Sequence, residues 1–375
     1  LNTLTFDFEC NTFAKGNPYS KQGKAVCLGL KDNYDKTECE FDIHYLDESY
    51  FTHFDLCIAF NVKFDIAWAR RLGFQLPKQI WCCQLAEYML NNQQAYPSLE
   101  ETAKKYGLPS KLDIVKTEYW ENGVDTDAIP QEVLAEYCIR DVNLTYDIYL
   151  SQKQQFEQRP SLYRLFKLAC QDLLVLHEME WNGLIYNEQL CKERVEECNK
   201  RREEILSILG NVYPHLSINF ASNDQLSAFL YGGKITETVK QPIGFFKTGE
   251  RKGQVKFQNV EVEHTLPRMV NPLPKSEMKK EGVFATDEGT LKKLKGPFAK
   301  KYVSLILELA KLDKLIGTYY GGLPKLNKEM DWEEHMLHGQ LNQCVTQTGR
   351  LSASSPNQQN IAGDVADIII SCYED

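Results

Sequence analysis

The stretch Leu4-Thr5-Phe6-Asp7-Phe8-Glu9 constrains this chain most. Apolar Leu4, Phe6 and Phe8 alternate with Thr5, Asp7 and Glu9, the period of a β-strand. Side chains two apart on a strand share a face, so the carboxylates of Asp7 and Glu9 project together from a strand backed by apolar residues. Such a pair is a cradle for a hard cation. A solvated edge strand with two surface acids fits the same stretch, and acids elsewhere in the chain decide between the two.

Further strands are expected at Ala25 to Leu30, Cys39 to Ile43 and Phe54 to Phe60, the last a nearly continuous apolar run suited to a strand buried on both faces. It leads into Asn61-Val62-Lys63-Phe64-Asp65, which begins a helical pattern, so Asp65 stands at a strand-to-helix transition where open α/β sheets place ligands. Helices are expected over Gln84 to Leu90, over Ser98 to Tyr106 with Ser98 and Glu101 as a capping box, and from Pro130 to about Gln158. Tyr137 and Asp141 share a face of that last helix. Strands followed by helices make a mixed α/β domain ending near residue 155.

Beyond it the chain reads as helical from Leu162 to Leu209, broken at Asn182-Gly183. A Gly-, Pro- and Lys-rich hairpin insertion follows at about 232–290, with KTGERKGQVKF its most basic run. Helices resume over Thr286 to Lys295 and Phe298 to Tyr320. The net charge of −9 argues against a general basic coat for nucleic acid, while leaving room for a locally basic groove. The 12 cysteines are scattered without metal-ligand spacing, which points to reduced thiols and away from zinc. With no basic-then-apolar leader and no membrane-length apolar run, a cytoplasmic chain is expected, in the host cytoplasm if viral.

Asp7, Glu9, Asp65 and Asp141, with Tyr137 one turn before Asp141, fit two-metal phosphodiester hydrolysis. That chemistry needs carboxylates converging from several elements on two hard cations roughly 3.5–4 Å apart. Oxygen ligands with open water positions suit Mg²⁺ or Mn²⁺. The three pieces Asp7-Phe8-Glu9, Asn61-Val62-Lys63-Phe64-Asp65 and Tyr137-Cys138-Ile139-Arg140-Asp141, in this order, resemble the DEDDy class of 3′–5′ exonucleases, the proofreading domains of family A DNA polymerases. The resemblance implies that Asp7, Glu9 and Asp141 ligate one metal, with Asp7 bridging to a second. Asp65 would hold the second through water, and Tyr137 would orient the nucleophilic water. Asn61 would contact the terminal nucleotide and Phe13 would wedge against its base.

His338-Gly339-Gln340-Leu341-Asn342-Gln343, followed by the run from Thr348-Gly349-Arg350-Leu351-Ser352 to Asn360, is similar to the segment ahead of the family A polymerase palm. This implies that Arg350 reaches the primer-template minor groove and that Asn357 and Asn360 order the segment. Gln358 and Ala362 depart from the family pattern. The helical middle resembles the polymerase thumb.

The expected architecture is therefore α/β. An RNase H-like 3′–5′ exonuclease domain, a mixed sheet flanked by helices, spans 1–155; a mostly helical thumb region spans 156–335; the truncated start of a palm spans 336–375. The expected function is proofreading with two Mg²⁺ or Mn²⁺ ions on a single-stranded DNA 3′ end, the thumb gripping primer-template duplex. The palm and fingers, which lie beyond residue 375 in the family, would come from a second polypeptide, an arrangement suited to a bacteriophage. The apolar tail Ile368-Ile369-Ile370, read as an unpaired strand, is the expected docking point. A DNA-binding assembly subunit and a stand-alone RNase D-like exonuclease are the alternatives.

Overall fold

The computed structural model describes residues 1–245, 247–249, 252–278, 280–361 and 363–370. It divides into two compact units, Leu1–Glu188 with Leu323–Asp375, and Gln189–Gly322.

The first unit is built on a five-stranded mixed sheet of order β3-β2-β1-β4-β5. Its strands are β1 (Thr3–Cys10), β2 (Ala25–Asp32), β3 (Thr37–Glu40), β4 (Leu56–Ala59) and β5 (Ile80–Cys82). β1 pairs antiparallel with β2 and parallel with β4, which in turn pairs parallel with β5. Leu4, Phe6 and Phe8 are buried on one face, where Phe6 packs 4.9 Å from Phe51. The run Cys39 to Ile43 does not continue as a strand: β3 stops at Glu40, whose carboxylate accepts from the Asp42 N–H at 2.7 Å, and the chain turns into a short 3-10 helix, Ile43–Tyr45. A local side-chain bond to the backbone outcompetes the ladder there.

The helices of this unit are α1 (Val62–Arg71), α2 (Cys83–Leu90), α3 (Leu99–Lys105), α4 (Gln131–Glu157) and α5 (Pro160–Asn182). Ser98 caps α3 as expected, accepting from the Glu101 N–H at 3.2 Å. α4 lies across β1 and β2. Its approach is so close that a Cβ at Gly29 would sit 2.7 Å from Cys138 Sγ and 2.8 Å from Val142 Cγ1. Gly29 pairs with Asp7 in the ladder, so this missing side chain lets the helix bearing Asp141 settle over the strand bearing Asp7. Trp81 of β5 anchors α4 and α5 together, its ring 4.9 Å from Tyr149 and 4.6 Å from Phe166 and its indole N–H donating to Gln152 at 3.1 Å.

A short strand β6 (Leu184–Tyr186) leads to α6 (Glu188–Gly210) and the second unit, which continues with α7 (Asn223–Tyr231), β7 (Gly233–Phe245), β8 (Val255–Leu266), α8 (Glu288–Leu291) and α9 (Pro297–Lys314). The insertion is a hairpin, as read, but with strands of 13 and 12 residues. Ile235 and Leu266 are buried at its base and most other positions are exposed. Of its basic run, positions 250 and 251 lie outside the described residues. The helix expected from Thr286 shrinks to α8, capped by Asp287. The expected stripe on α9 packs inward, with Ile306 and Leu309 in a core shared with Ile205, Phe229 and Leu230. Arg201 and Arg202 of α6 pair with Glu308 and Asp313 of α9.

After α10 (Gly322–Glu329) the chain rejoins the first unit through β9 (Met336–Leu337), β10 (Gln340–Asn342), β11 (Ser352–Ser354) and β12 (Ile369–Ile370). The apolar tail is not an unpaired strand. β12 pairs antiparallel with β6 in a sheet of order β12-β6-β9, and Ile368 is fully buried, so the edge read as open is already covered by the chain's own backbone. Positions 362 and 371–375 lie outside the described residues.

Candidate exonuclease site

Asp7 and Glu9 project from one face of β1 toward α4, as the alternation requires, where each carboxylate feels the Asp141 charge. Ligand atoms of Asp7, Glu9 and Cys138 all lie within 4.8 Å of one another. Asp65 sits in the first turn of α1 and accepts from the backbone N–H of Phe8 at 3.1 Å, which fixes it to the strand segment between the first two acids. Asp141 and Tyr137 enter from α4, one turn apart on the same face. Glu9, Asp65, Asp141 and Tyr137 are buried and Asp7 is half-buried. The four acids anticipated from the sequence thus meet in one place.

Their electrostatics follow from that crowding. Burial and then the Asp141 charge push Asp7 from its ordinary value up to about 7, opposed by Lys111. Glu9 and Asp65 are raised by burial and then by Asp7, and burial raises Asp141 against the pull of Lys111. Burial also raises the Tyr137 phenol, which stays protonated and can hold a water without taking its proton.

Among the described residues, the buried Oδ1 of Asp141 has no hydrogen-bond partner. A buried carboxylate oxygen without a donor, in a nest of mutually repelling acids, is what a cation-binding site leaves when only protein atoms surround it. The oxygen-only acid set therefore fits hard divalent ions held by Asp7, Glu9, Asp65 and Asp141.

This crowding predicts a pH dependence. A carboxyl whose folded pKa lies above its unfolded value binds more protons when folded, so its contribution is complete in acid and is lost as pH rises through the folded value. For Asp7 the window runs from 3.8 to about 7. In EDTA, Asp7→Asn should melt several degrees above the wild type at pH 8 and at nearly the same temperature at pH 4. Equal melting temperatures at pH 8 would contradict the crowding.

Two residues at the site carry no local sequence signal. Lys111, in the loop before α4, pairs with Asp141 and lies 4.7 Å over the Tyr137 ring. Lys63, inside the Asn61 to Asp65 motif, donates to Glu180 of α5 and to the Leu341 carbonyl of β10, and so fastens α1 to the segment that resembles the approach to a palm. Sequence spacing also missed a cluster: Cys27, Cys39 and Cys138 bring their sulfurs within 4.8 Å of one another behind Asp7. Cys27 and Cys138 are buried and Cys39 half-buried, and thiols so enclosed pack as small apolar groups.

Phe13 is half-buried in the 3-10 turn directly after β1, whose neighbouring Thr12 N–H donates to Asp125 at 2.6 Å. Asn61 is exposed and lines a cleft with Lys15, Tyr96, Gln340, Asn342 and Ser355. Arg350 lies in the loop joining β10 to β11 with its carbonyl held by the Thr346 hydroxyl at 2.7 Å, and Asn357 and Asn360 flank a short 3-10 turn; all three side chains are exposed. The acids converge; of the five residues expected to touch DNA, Phe13 is half-buried, Asn61 lines the cleft, and Arg350, Asn357 and Asn360 are exposed.

The family described as 3′-5′ exonuclease matches residues 35–157, and DNA polymerase family A matches residues 258–368. The chain is thus similar to DNA polymerase family A, with a 3′-5′ exonuclease part and part of the polymerase. The exonuclease match includes Asp65, Tyr137 and Asp141 but not Asp7 and Glu9, which the fold adds. DNA polymerase I of Synechocystis is 28% identical to this chain over 308 residues, 80% of the chain and 26% of that protein. DNA polymerase I of Bacillus subtilis is 27% identical over 306 residues, 80% of the chain and 29% of that protein. The chain thus spans little more than a quarter of the length of these curated relatives. The solved POL domain of Pol1 from M. smegmatis, in complex with DNA primer-template and dNTP, has a TM-score of 0.67 at 17% identity, covering 96% of this chain and 52% of that one. At that identity the likeness speaks for the fold, RNase H-like in its exonuclease part. Among the described residues no helix is long and apolar enough to cross a membrane.

Proposed function

We propose that this chain is a 3′–5′ exonuclease joined to a duplex-gripping region, the proofreading portion of a family A DNA polymerase. The observation that carries the reading is the meeting of Asp7, Glu9, Asp65 and Asp141 from three separate elements around a buried, partnerless carboxylate oxygen. Two divalent ions, Mg²⁺ or Mn²⁺, bound to these acids would supply a reactive water and neutralise the leaving oxygen. Tyr137, protonated and packed against Trp120, holds the attacking water in place. Asn61 and Phe13 receive the terminal nucleotide of a single-stranded 3′ end, stacking being tolerant of base identity as a proofreader requires. Arg350, Asn357 and Asn360 meet duplex, and the helical residues 156–335 act as the thumb, with the exonuclease domain over 1–155 and the start of the palm over 336–375.

The paired tail removes the argument that an open strand awaits a second polypeptide, so synthesis with separately supplied palm and fingers forms no part of this proposal. The test uses matched DNA and RNA oligonucleotides carrying a 5′ label, incubated with the full chain in Mg²⁺, Mn²⁺ or EDTA. Stepwise shortening of DNA from its 3′ end, abolished by EDTA and faster than for RNA, is expected. An intact DNA ladder in Mn²⁺, or a preference for RNA, would sink the reading.

A further inference from the structure

Lys111 is the cation that Asp7, Glu9 and Asp141 all feel, and nothing in the exonuclease motifs assigns it a part. Its ammonium pairs with one oxygen of Asp141 while the other oxygen has no partner, and the same ammonium lies 4.7 Å over the Tyr137 ring. The side chain is 26% exposed, so it borders the opening of the site and is not sealed beneath it. The backbone carrying it is tethered by the very helix it serves. Arg140, the neighbour of Asp141, donates to the Ser110 carbonyl from Nε at 3.2 Å and from a second guanidinium nitrogen at 3.0 Å. Next along the loop, Leu112 packs among Val115, Leu134 and Tyr137. A fixed Cα with a four-carbon stem confines the ammonium to a small volume around Asp141 but leaves its head free to move within it.

Resting on the exonuclease reading above, we propose that Lys111 occupies Asp141 as a placeholder for a divalent ion and, once ions are bound, transfers its charge to the scissile phosphodiester. Charge balance argues for both halves. Without ions, four carboxylates crowd together and one ammonium relieves the one that offers it an oxygen. With two divalent ions the four carboxylates are neutralised, and Asp141 then has no need of the lysine. The incoming phosphodiester brings one further negative charge, and Lys111 is the positive charge already tethered at the opening. A compact ammonium on a flexible stem suits such a handover better than a rigid guanidinium, which would hold Asp141 with two parallel bonds.

The proposal separates metal affinity from rate. In the full chain without DNA, Lys111→Met and Lys111→Gln remove the competing cation and should bind Mn²⁺ about tenfold more tightly in an electron-paramagnetic titration of free ion. In the same variants, single-turnover shortening of a DNA 3′ end at saturating Mn²⁺ should fall roughly 100-fold, the scale of losing one charge-stabilising donor. Lys111→Arg, whose guanidinium holds Asp141 at least as firmly, should bind Mn²⁺ no more tightly than the wild type and recover part of the rate. A lysine that merely braces the loop would give weaker Mn²⁺ binding in both uncharged variants, and that result overturns the proposal, as does an unchanged affinity or an unchanged rate. The use of two uncharged side chains guards against one failing to fold, which is read from melting in EDTA. A wild type that neither binds Mn²⁺ nor shortens DNA would defeat the exonuclease reading itself; a wild type that does both beside unchanged variants defeats only the role given to Lys111.

Discussion

Asp7→Ala is expected to lower 3′-end hydrolysis by at least ~10⁴-fold while raising the melting temperature of the ion-free protein at neutral pH. Asp7 is the acid through which the others communicate: its charge raises both Glu9 and Asp65. Removing it deletes a ligand from the centre of the site, so catalysis loses more than a peripheral contact would cost. It also removes a buried, mutually repelling charge, so the ion-free fold gains. The two effects have opposite signs, and that makes the experiment informative. Lower activity accompanied by a lower melting temperature would mean that Asp7 supports the sheet, not the chemistry. Retention of activity within tenfold would mean that the four acids do not work on a 3′ end at all.

Glu180→Ala is expected to destabilise the first unit by about 3–5 kcal/mol, the scale of stripping one partner from a buried ion pair. Glu180 is 4% exposed, and its carboxylate accepts from the Lys63 ammonium and from the Leu341 N–H, while its own carbonyl meets His338 Nδ1 at 2.9 Å. Alanine leaves the Lys63 ammonium, 16% exposed, without its counter-charge, and leaves a buried backbone donor unmet. The double variant Lys63→Met with Glu180→Leu should recover most of the loss, because an apolar pair of similar volume dispenses with both desolvation costs. Tryptophan fluorescence during urea unfolding is a selective probe here. All five tryptophans, Trp68, Trp81, Trp120, Trp181 and Trp332, belong to the unit formed by Leu1–Glu188 and Leu323–Asp375. A midpoint shift under 1 kcal/mol in the single variant would show that water reaches Lys63 and that the pair is effectively a surface one.

The two predictions rest on residues of different legibility. Asp7 and Glu9 could be read because a strand's period of two puts neighbours-but-one on the same face whatever surrounds them. Tyr137 and Asp141 could be read because four residues make nearly one helical turn. Asp65 could be read because an apolar run passing into a helical pattern marks a strand-to-helix corner. Each is a local rule, and the structure bears out the elements it places: β1, α1 and α4 all lie where expected. Glu180 and Lys63 obey local rules too, as ordinary polar positions on two helices, and nothing near either one distinguishes it from a solvated charge.

The amino-acid order by itself determined the kinds of element, the face of each that carries an acid and the order in which the acids arrive, because strand and helix periodicities act over a few residues. Only the tertiary structure decided which lysine stands among those acids, that Glu180 binds Lys63 and Leu341, that three distant thiols meet, and that the apolar tail finds a partner in β6. The physical reason is separation along the chain: these contacts join residues tens to hundreds of positions apart, and a single charge, thiol or short apolar run has no period from which its partner could be inferred.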